Sequence, residues 1–288
     1  MVTARQRFRT ILESDACTAA APIFDPLSAR IADMHGWDVC KLSGSFGKFA
    51  NLAVPDGIPL ANMSDLADLC WRINRVSDAC LIVDADEGGG NALNVARTVR
   101  ELEMAGACAI EIEDNVVPTA FGQAERRHAL MLSEAEQVGK LEAAVAACRD
   151  PDTVIVARTS ALSELPRAEA LARIKAYSAT GAKALMFPEL PNGSRDLPDI
   201  AAATHLPLFI LGLEPDVIRD TEYLARHRVR VRFLPHLPYR MAVKAISDAY
   251  ETLKSGAEAG PRQAPEPLLR ELDRTDEWKA RQDRYVRE

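Results

Sequence analysis

Ala79-Cys80-Leu81-Ile82-Val83-Asp84-Ala85-Asp86-Glu87-Gly88-Gly89-Gly90-Asn91 compresses a complete structural transition into one short stretch. An apolar run reads as a buried strand, an acidic and glycine-rich turn follows, and Asn91 stands where a helix cap is needed. Leu93, Ala96, Val99 and Leu102 then recur every three residues, one face of a helix, and Gly106 stands where that helix stops. The stretch is one βα unit. Similar strand candidates occur at Ala20 to Phe24, Asp38 to Leu42, Ala107 to Ile112, Thr153 to Ala157, Ala182 to Phe187, Pro207 to Leu211 and Val229 to Leu234. Most are followed by amphipathic stretches such as Leu171, Ile174 and Tyr177, the alternation a parallel sheet requires. Eight such units predict an α/β fold, a (β/α)8 TIM-type barrel. The competing open sheet is disfavoured because the run Gly88 to Asn91 lacks the spacing of a dinucleotide fingerprint.

A barrel of this kind does its chemistry at the carboxyl ends of its strands. Those ends are polar here: Asp25, Ser43 to Ser45, Asp84 and Asp86, Glu111 to Asp114, Arg158 and Thr159, Glu189, and His236. After the eighth strand, Tyr239 to Lys254 reads as a helix, Ser255 to Pro267 is rich in Gly, Ala and Pro, and a charged helical tail runs from Leu268 to Glu288. The expected organisation is a catalytic barrel over residues 1–254 and a C-terminal helical extension over 255–288. The extension exceeds what a barrel needs, so it is expected to pack on a neighbouring subunit of a homo-oligomer, a homotetramer.

The composition narrows the function classes. With 48% hydrophobic and 27% charged residues the chain has ordinary globular content. A formal charge of -7 with no basic block argues against nucleic-acid and anionic-membrane partners. No apolar run reaches signal-peptide or membrane-span length, so a cytoplasmic protein is expected. The six cysteines contain no C-x-x-C pair, which leaves neither a zinc knuckle nor a disulfide framework.

Asp84 and Asp86 occupy alternate positions at a strand end, so both side chains could point the same way. Clustered hard oxygen donors suit Mg²⁺, with Mn²⁺ as a substitute, and Glu113 and Asp56 could hold its waters. Acidic residues at strand ends also serve as ordinary helix caps, the alternative reading.

Around these positions, from about Phe8 to Leu253, the sequence resembles the isocitrate lyase and phosphoenolpyruvate mutase superfamily. Five stretches carry the likeness: Phe24-Asp25-Pro26-Leu27-Ser28-Ala29, Ser43-Gly44-Ser45, Asp84-Ala85-Asp86 with Gly88, Gly90 and Asn91, Ile112-Glu113-Asp114, and Ala157-Arg158-Thr159. The resemblance implies Asp84 as direct metal ligand, with Asp56, Asp86 and Glu113 acting through water. It further implies that Ser45 and nearby backbone N–H groups, in the turn Ser43 to Ser45, bind the carboxylate of a small substrate or its metal-bound oxygen. Arg158 would clamp a carboxylate, a task its planar, permanently charged fork suits. A structural salt bridge inside the barrel is the other reading of Arg158.

Within the superfamily, the isocitrate and methylisocitrate lyases resemble one another in a lysine-lysine-cysteine-glycine-histidine loop after the fourth strand. Here that loop, Pro118 to Arg126, has no cysteine, and Thr119 and Phe121 stand near the places of the phosphonate mutases' lysine and asparagine. Pro118, Phe121 and Gly122 look like the loop of the oxaloacetate decarboxylase branch, and Pro235-His236 falls where that branch has a histidine. The resemblance therefore implies Mg²⁺-dependent loss of CO₂ from a 2-oxo dicarboxylate such as oxaloacetate, with His236 facing the departing carboxylate or supplying a proton. Carbon–carbon lysis of a 2-hydroxy di- or tricarboxylate is the alternative, because Met186-Phe187-Pro188-Glu189 looks like methylisocitrate lyase and would place Glu189 at the substrate. A phosphonate-forming mutase and a non-catalytic binding protein complete the alternatives. Three features depart from the decarboxylase pattern: Glu87 and Gly89 in the metal loop, Leu211-Gly212-Leu213, and the stretch 46–51, whose Lys48 reads as a substrate contact or a solvated charge. The loop Pro118 to Leu132, with His128 and several charges, is expected to close as a lid.

Overall fold

Eight short, mostly apolar strands each pair in parallel with the next: β1 (Thr18–Ile23), β2 (Val39–Leu42), β3 (Cys80–Asp84), β4 (Ala109–Glu113), β5 (Val154–Arg158), β6 (Ala184–Phe187), β7 (Leu208–Ile210) and β8 (Val229–Phe233). The sheet closes where Thr18, Ala19 and Ala20 of β1 align with Val231, Arg232 and Phe233 of β8. All eight expected strands are present and the (β/α)8 barrel is confirmed. Continuous apolar runs such as Leu81-Ile82-Val83 are what a sheet covered on both faces demands. This computed structural model describes residues 2–55, 60–117, 130–258, 260 and 263–286. Asp56, the residues Pro118 to Ala129 of the expected lid, and with them His128, lie outside the described residues.

The helices are, in chain order, α1 (Ala4–Glu13), α2 (Pro26–Met34), α3 (Gly44–Leu52), α4 (Met63–Asn74), α5 (Ala92–Met104), α6 (Glu134–Ala147), α7 (Ala161–Glu164), α8 (Arg167–Ser178), α9 (Leu197–Ala203), α10 (Thr221–Arg226), α11 (Leu237–Ser255), α12 (Glu266–Leu272) and α13 (Thr275–Tyr285). Local chemistry sets where several begin. Asn91 accepts from the Leu93 amide at 2.9 Å while Asn94 reaches back to the Asn91 amide, a reciprocal cap that opens α5. Asp25, Asn62 and Ser133 cap α2, α4 and α6 in the same way.

The chain divides into two compact units, Met1–Pro235 and His236–Glu288. The first contains the barrel. The second contains α11, α12 and α13, with an Arg270–Asp276 ion pair linking the last two. No residue of α11 is buried, and Met241, Ile246, Tyr250 and Leu253 are exposed. Among the described residues, no helix is long and apolar enough to cross a membrane.

Strand pleating sorts the barrel interior into layers. At the amino-terminal end of the strands, α1 inserts Phe8 and Leu12 among Val39, Cys80, Val154 and Val231. Phe8 packs edge-on to Phe209, centroids 6.2 Å apart, and Phe209 edge-on to Phe233 at 5.9 Å. Arg5 secures this plug by donating to the Ala107 carbonyl and pairing with Asp150 at 2.8 Å. The next interior layer is charged. Lys41 lies over the Phe233 ring at 4.1 Å and bonds the fully buried Glu111 at 2.5 Å.

Two outcomes follow from this layering. Phe8→Ala should lower unfolding stability by about 3–5 kcal/mol in urea titrations, because the plug leaves a cavity that the rigid strands cannot fill. Lys41→Met should cost about 3–5 kcal/mol in chelator by leaving Glu111 inadequately compensated, and adding Glu111→Gln should restore most of the loss.

Candidate active site

Beyond the Lys41–Glu111 layer, the carboxyl ends of β3, β4 and β5 bring Asp84, Glu111, Glu113 and Arg158 together. Arg158 is the hub: one guanidinium nitrogen pairs with Asp84 and lies 3.3 Å from Glu111, and the other bonds Glu113 at 2.6 Å. Lys41 adds a second cation 3.9 Å from Asp84. Register explains the meeting, since Asp84 aligns with Glu111 across β3 and β4, and Glu113 with Arg158 across β4 and β5. The same pleat sends the intervening motif residues outward. Asp114 accepts from the Thr159 hydroxyl at 2.6 Å and from the Tyr177 hydroxyl of α8 at 2.9 Å, locking the two strand ends whose inward residues are Glu113 and Arg158. Ile112-Glu113-Asp114 and Ala157-Arg158-Thr159 are thus two halves of one device.

The expectation that Asp84 and Asp86 share one face of an extended strand is corrected. The strand ends at Asp84, Gly88 N–H closes a turn onto the Ala85 carbonyl at 2.8 Å, and Asp86 adopts a left-handed backbone with φ 48°. The turn aims Asp86 toward α3, where Lys48 bonds its Oδ2 at 2.6 Å. Gly44, the first residue of α3, makes room on the other side: a Cβ there would lie 2.5 Å from Asp86 Oδ1. Any other residue would force the carboxylate away. Gly88 is needed for a similar reason, because its φ is 80° and a Cβ would meet Val95 at 2.7 Å.

Four carboxylates (Asp84, Asp86, Glu111, Glu113) therefore meet three cations (Lys41, Lys48, Arg158). Burial opposes the charge of Asp84, but Arg158 and then Lys41 outweigh it and hold the carboxyl well below the usual range. For Asp86, burial and the adjacent Asp84 charge win over Lys48 and raise the group to about 6. Glu113 rises to about 7, chiefly by burial, with Asp84, Asp86 and Glu111 acting against the pull of Arg158.

The donor chemistry fits a hard divalent cation, since every candidate ligand is a carboxylate oxygen. Glu111 Oε1 and Arg158 Nε are buried without hydrogen-bond partners among the described residues, leaving polar capacity in the cluster. Yet among those residues no three His, Cys, Asp or Glu side chains converge as a metal site, because Arg158 and Lys48 hold the acids in ion pairs.

The other expected site residues are distributed as follows. Ser43 and Ser45 bond each other at 2.9 Å at the start of α3. Glu189 follows β6 and is exposed, with no hydrogen bond to the cluster among the described residues. His236 is the first residue of the second unit, at the N-cap position of α11. Lys48 is neither solvated nor in a loop: the stretch 46–51 is helical and the lysine is ion-paired. Sequence reading missed Lys41, although a lysine between Cys40 and Leu42 in an otherwise apolar four-residue strand was a signal of a buried partner.

A family model described as phosphoenolpyruvate phosphomutase matches residues 8–254. The chain is 39% identical over 286 residues to an oxaloacetate decarboxylase of Rhodopseudomonas palustris (strain BisA53), covering 98% of this chain and 96% of that one. It is 38% identical to an oxaloacetate decarboxylase of Paraburkholderia xenovorans (strain LB400), covering 96% and 92%. Among solved structures, a phosphonopyruvate hydrolase in complex with oxalate and Mg²⁺ superposes with a TM-score of 0.85 at 28% identity, covering 99% of this chain and 100% of that one. A 2,3-dimethylmalate lyase does so with 0.83 at 26%, covering 98% and 99%. With its barrel closed, its acidic cluster assembled around Arg158 and this match spanning nearly all of the first unit, the chain belongs to the phosphoenolpyruvate phosphomutase family.

Proposed function

We propose that this protein is a carbon–carbon lyase that decarboxylates a 2-oxo dicarboxylate, oxaloacetate first among them, to pyruvate and CO₂ with Mg²⁺ or Mn²⁺ bound. The observation that carries the reading is the joining of Asp84, Glu113 and Arg158 at the strand ends, in a chain about 40% identical to proteins named oxaloacetate decarboxylase. Asp84 would hold the cation directly, with Asp86, Glu113 and Asp56 acting through water. The bound cation would polarise the 2-oxo group and accept the electron pair released when the distal carboxylate leaves.

The chain's own residues do the rest. Ser45 and the N-terminal turn of α3 at Ser43 and Gly44 bind the substrate's proximal carboxylate, a natural task for a helix start. Arg158 orients that carboxylate and keeps Asp84 ionised, since its guanidinium remains charged at every working pH. His236 supplies the proton that converts the enolate carbon to the methyl group of pyruvate. The assembly is a homo-oligomer, a homotetramer in the fullest form of the reading; the exposed apolar residues of α11 support association, and a cytoplasmic location completes the proposal. The second reading, lysis of a 2-hydroxy acid, is favoured by the likeness to 2,3-dimethylmalate lyase and would recruit Glu189.

Chelation should abolish activity and Mg²⁺ or Mn²⁺ restore it, and Asp84→Asn should fold yet lose about 10²–10³-fold or more in kcat, matching the several kcal/mol a bound cation contributes. Full turnover in excess chelator would overturn the metal assignment. NMR product analysis should find pyruvate and CO₂ from oxaloacetate and little or no methylisocitrate cleavage, with His236→Ala slowed by about 10²-fold. Rapid methylisocitrate cleavage that collapses in Glu189→Gln would establish the second reading instead.

A further inference from the structure

The two oxygens of Asp86 are both met by a single face of α3. Gly44 and Lys48 stand four residues apart on that helix, so they project from the same side. Oδ1 fills the space a side chain at Gly44 would need, and Oδ2 accepts a charged hydrogen bond from Lys48 Nζ at 2.6 Å. Only 10% of the lysine side chain is exposed, so water screens this pair weakly. Asp86 sits in a left-handed turn, and its carboxylate meets this ammonium. Without Lys48 the local group would hold four carboxylates against two cations; with it, three cations reduce the excess to one negative charge. Affinity for a divalent ion follows the charge of the surrounding oxygens, and a fixed ammonium on one of them repels a second cation.

We propose that Lys48 is a built-in counter-cation that competes with the divalent metal for Asp86, so that the free site binds metal weakly and metal and anionic substrate bind cooperatively. This inference rests on the reading of Asp86 as part of a metal site. When a cation engages Asp86, the Lys48 ammonium is released beside Ser45 and the start of α3, where a substrate carboxylate can take it up. The substrate thereby relieves the repulsion that Lys48 would otherwise exert on the metal. Cooperativity of this kind is reciprocal, since each ligand strengthens the other by the same factor.

The test is Mn²⁺ titration followed by electron paramagnetic resonance on the full chain, with and without saturating oxalate, for wild type, Lys48→Met, Lys48→Gln and Lys48→Arg. Wild type and Lys48→Arg should bind Mn²⁺ weakly alone and about tenfold or more tightly with oxalate. Lys48→Met and Lys48→Gln should bind Mn²⁺ alone about tenfold more tightly and gain much less from oxalate, one lost charge interaction being enough for such a change. Folded neutral variants with Mn²⁺ affinity equal to or below wild type would overturn the proposal and leave Lys48 as a tie between α3 and the metal loop. Failure of both neutral variants to fold even with Mn²⁺ and oxalate present would do the same. If no form binds Mn²⁺ and oxaloacetate is not turned over, the metal reading itself falls, whereas Mn²⁺-dependent turnover with unchanged affinities sinks only the role of Lys48.

Discussion

The Arg158 guanidinium is the interaction on which the mouth of this barrel depends. Asp84, Glu111 and Glu113 project into a space closed below by aromatic rings, where unpaired charge is costly. A single planar fork reaches all three, and Lys41 approaches Asp84 and Glu111 from the layer beneath. Removing one member leaves the others under-compensated, a far greater penalty than the modest net worth of an intact buried pair. The cluster therefore reads as a device for gathering acids around one guanidinium, with Asp84 held ionised among neighbours whose proton affinity burial raises, rather than as a source of stability.

That device is held from two directions. Below, the plug formed by Phe8 and Leu12 fills the amino-terminal end of the barrel and fixes the strands whose opposite ends carry the charges. Outside, the Thr159–Asp114–Tyr177 hydrogen bonds clamp β4 and β5 to α8, so Glu113 and Arg158 meet without depending on their own flexible side chains to find each other. Supporting contacts of this sort are what hold a reactive constellation to the tolerance catalysis requires.

The likenesses to a hydrolase, a lyase and decarboxylases place this chain on a scaffold that carries several chemistries, so the groups surrounding its own acidic cluster matter. Lys48 is such a surrounding group. Its position on α3, one turn after Gly44, couples the Asp86 turn to the start of that helix.

Much of this architecture was legible along the chain. Eight apolar runs separated by helical periodicity could only close or stack as a parallel sheet, and Asn91 and the glycines marked the turns because local backbone needs are written in local residues. The inward set of Asp84, Glu113 and Arg158 was legible too, since strand pleating has a period of two. What remained hidden depended on long-range register and on turns. Lys41 and Glu111 lie 70 positions apart in sequence, and only barrel closure makes them partners. Asp86 reads as a strand residue until the Ala85–Gly88 turn gives it a left-handed backbone, and Lys48 reads as a substrate contact or a solvated charge until α3 seats it on that carboxylate. Hydrophobic periodicity determined the eight parallel βα units by itself because it is a local, repeated signal; the pairing of charges inside was decided only by tertiary structure, because Coulombic partners are chosen by distance in space and carry no period along the chain.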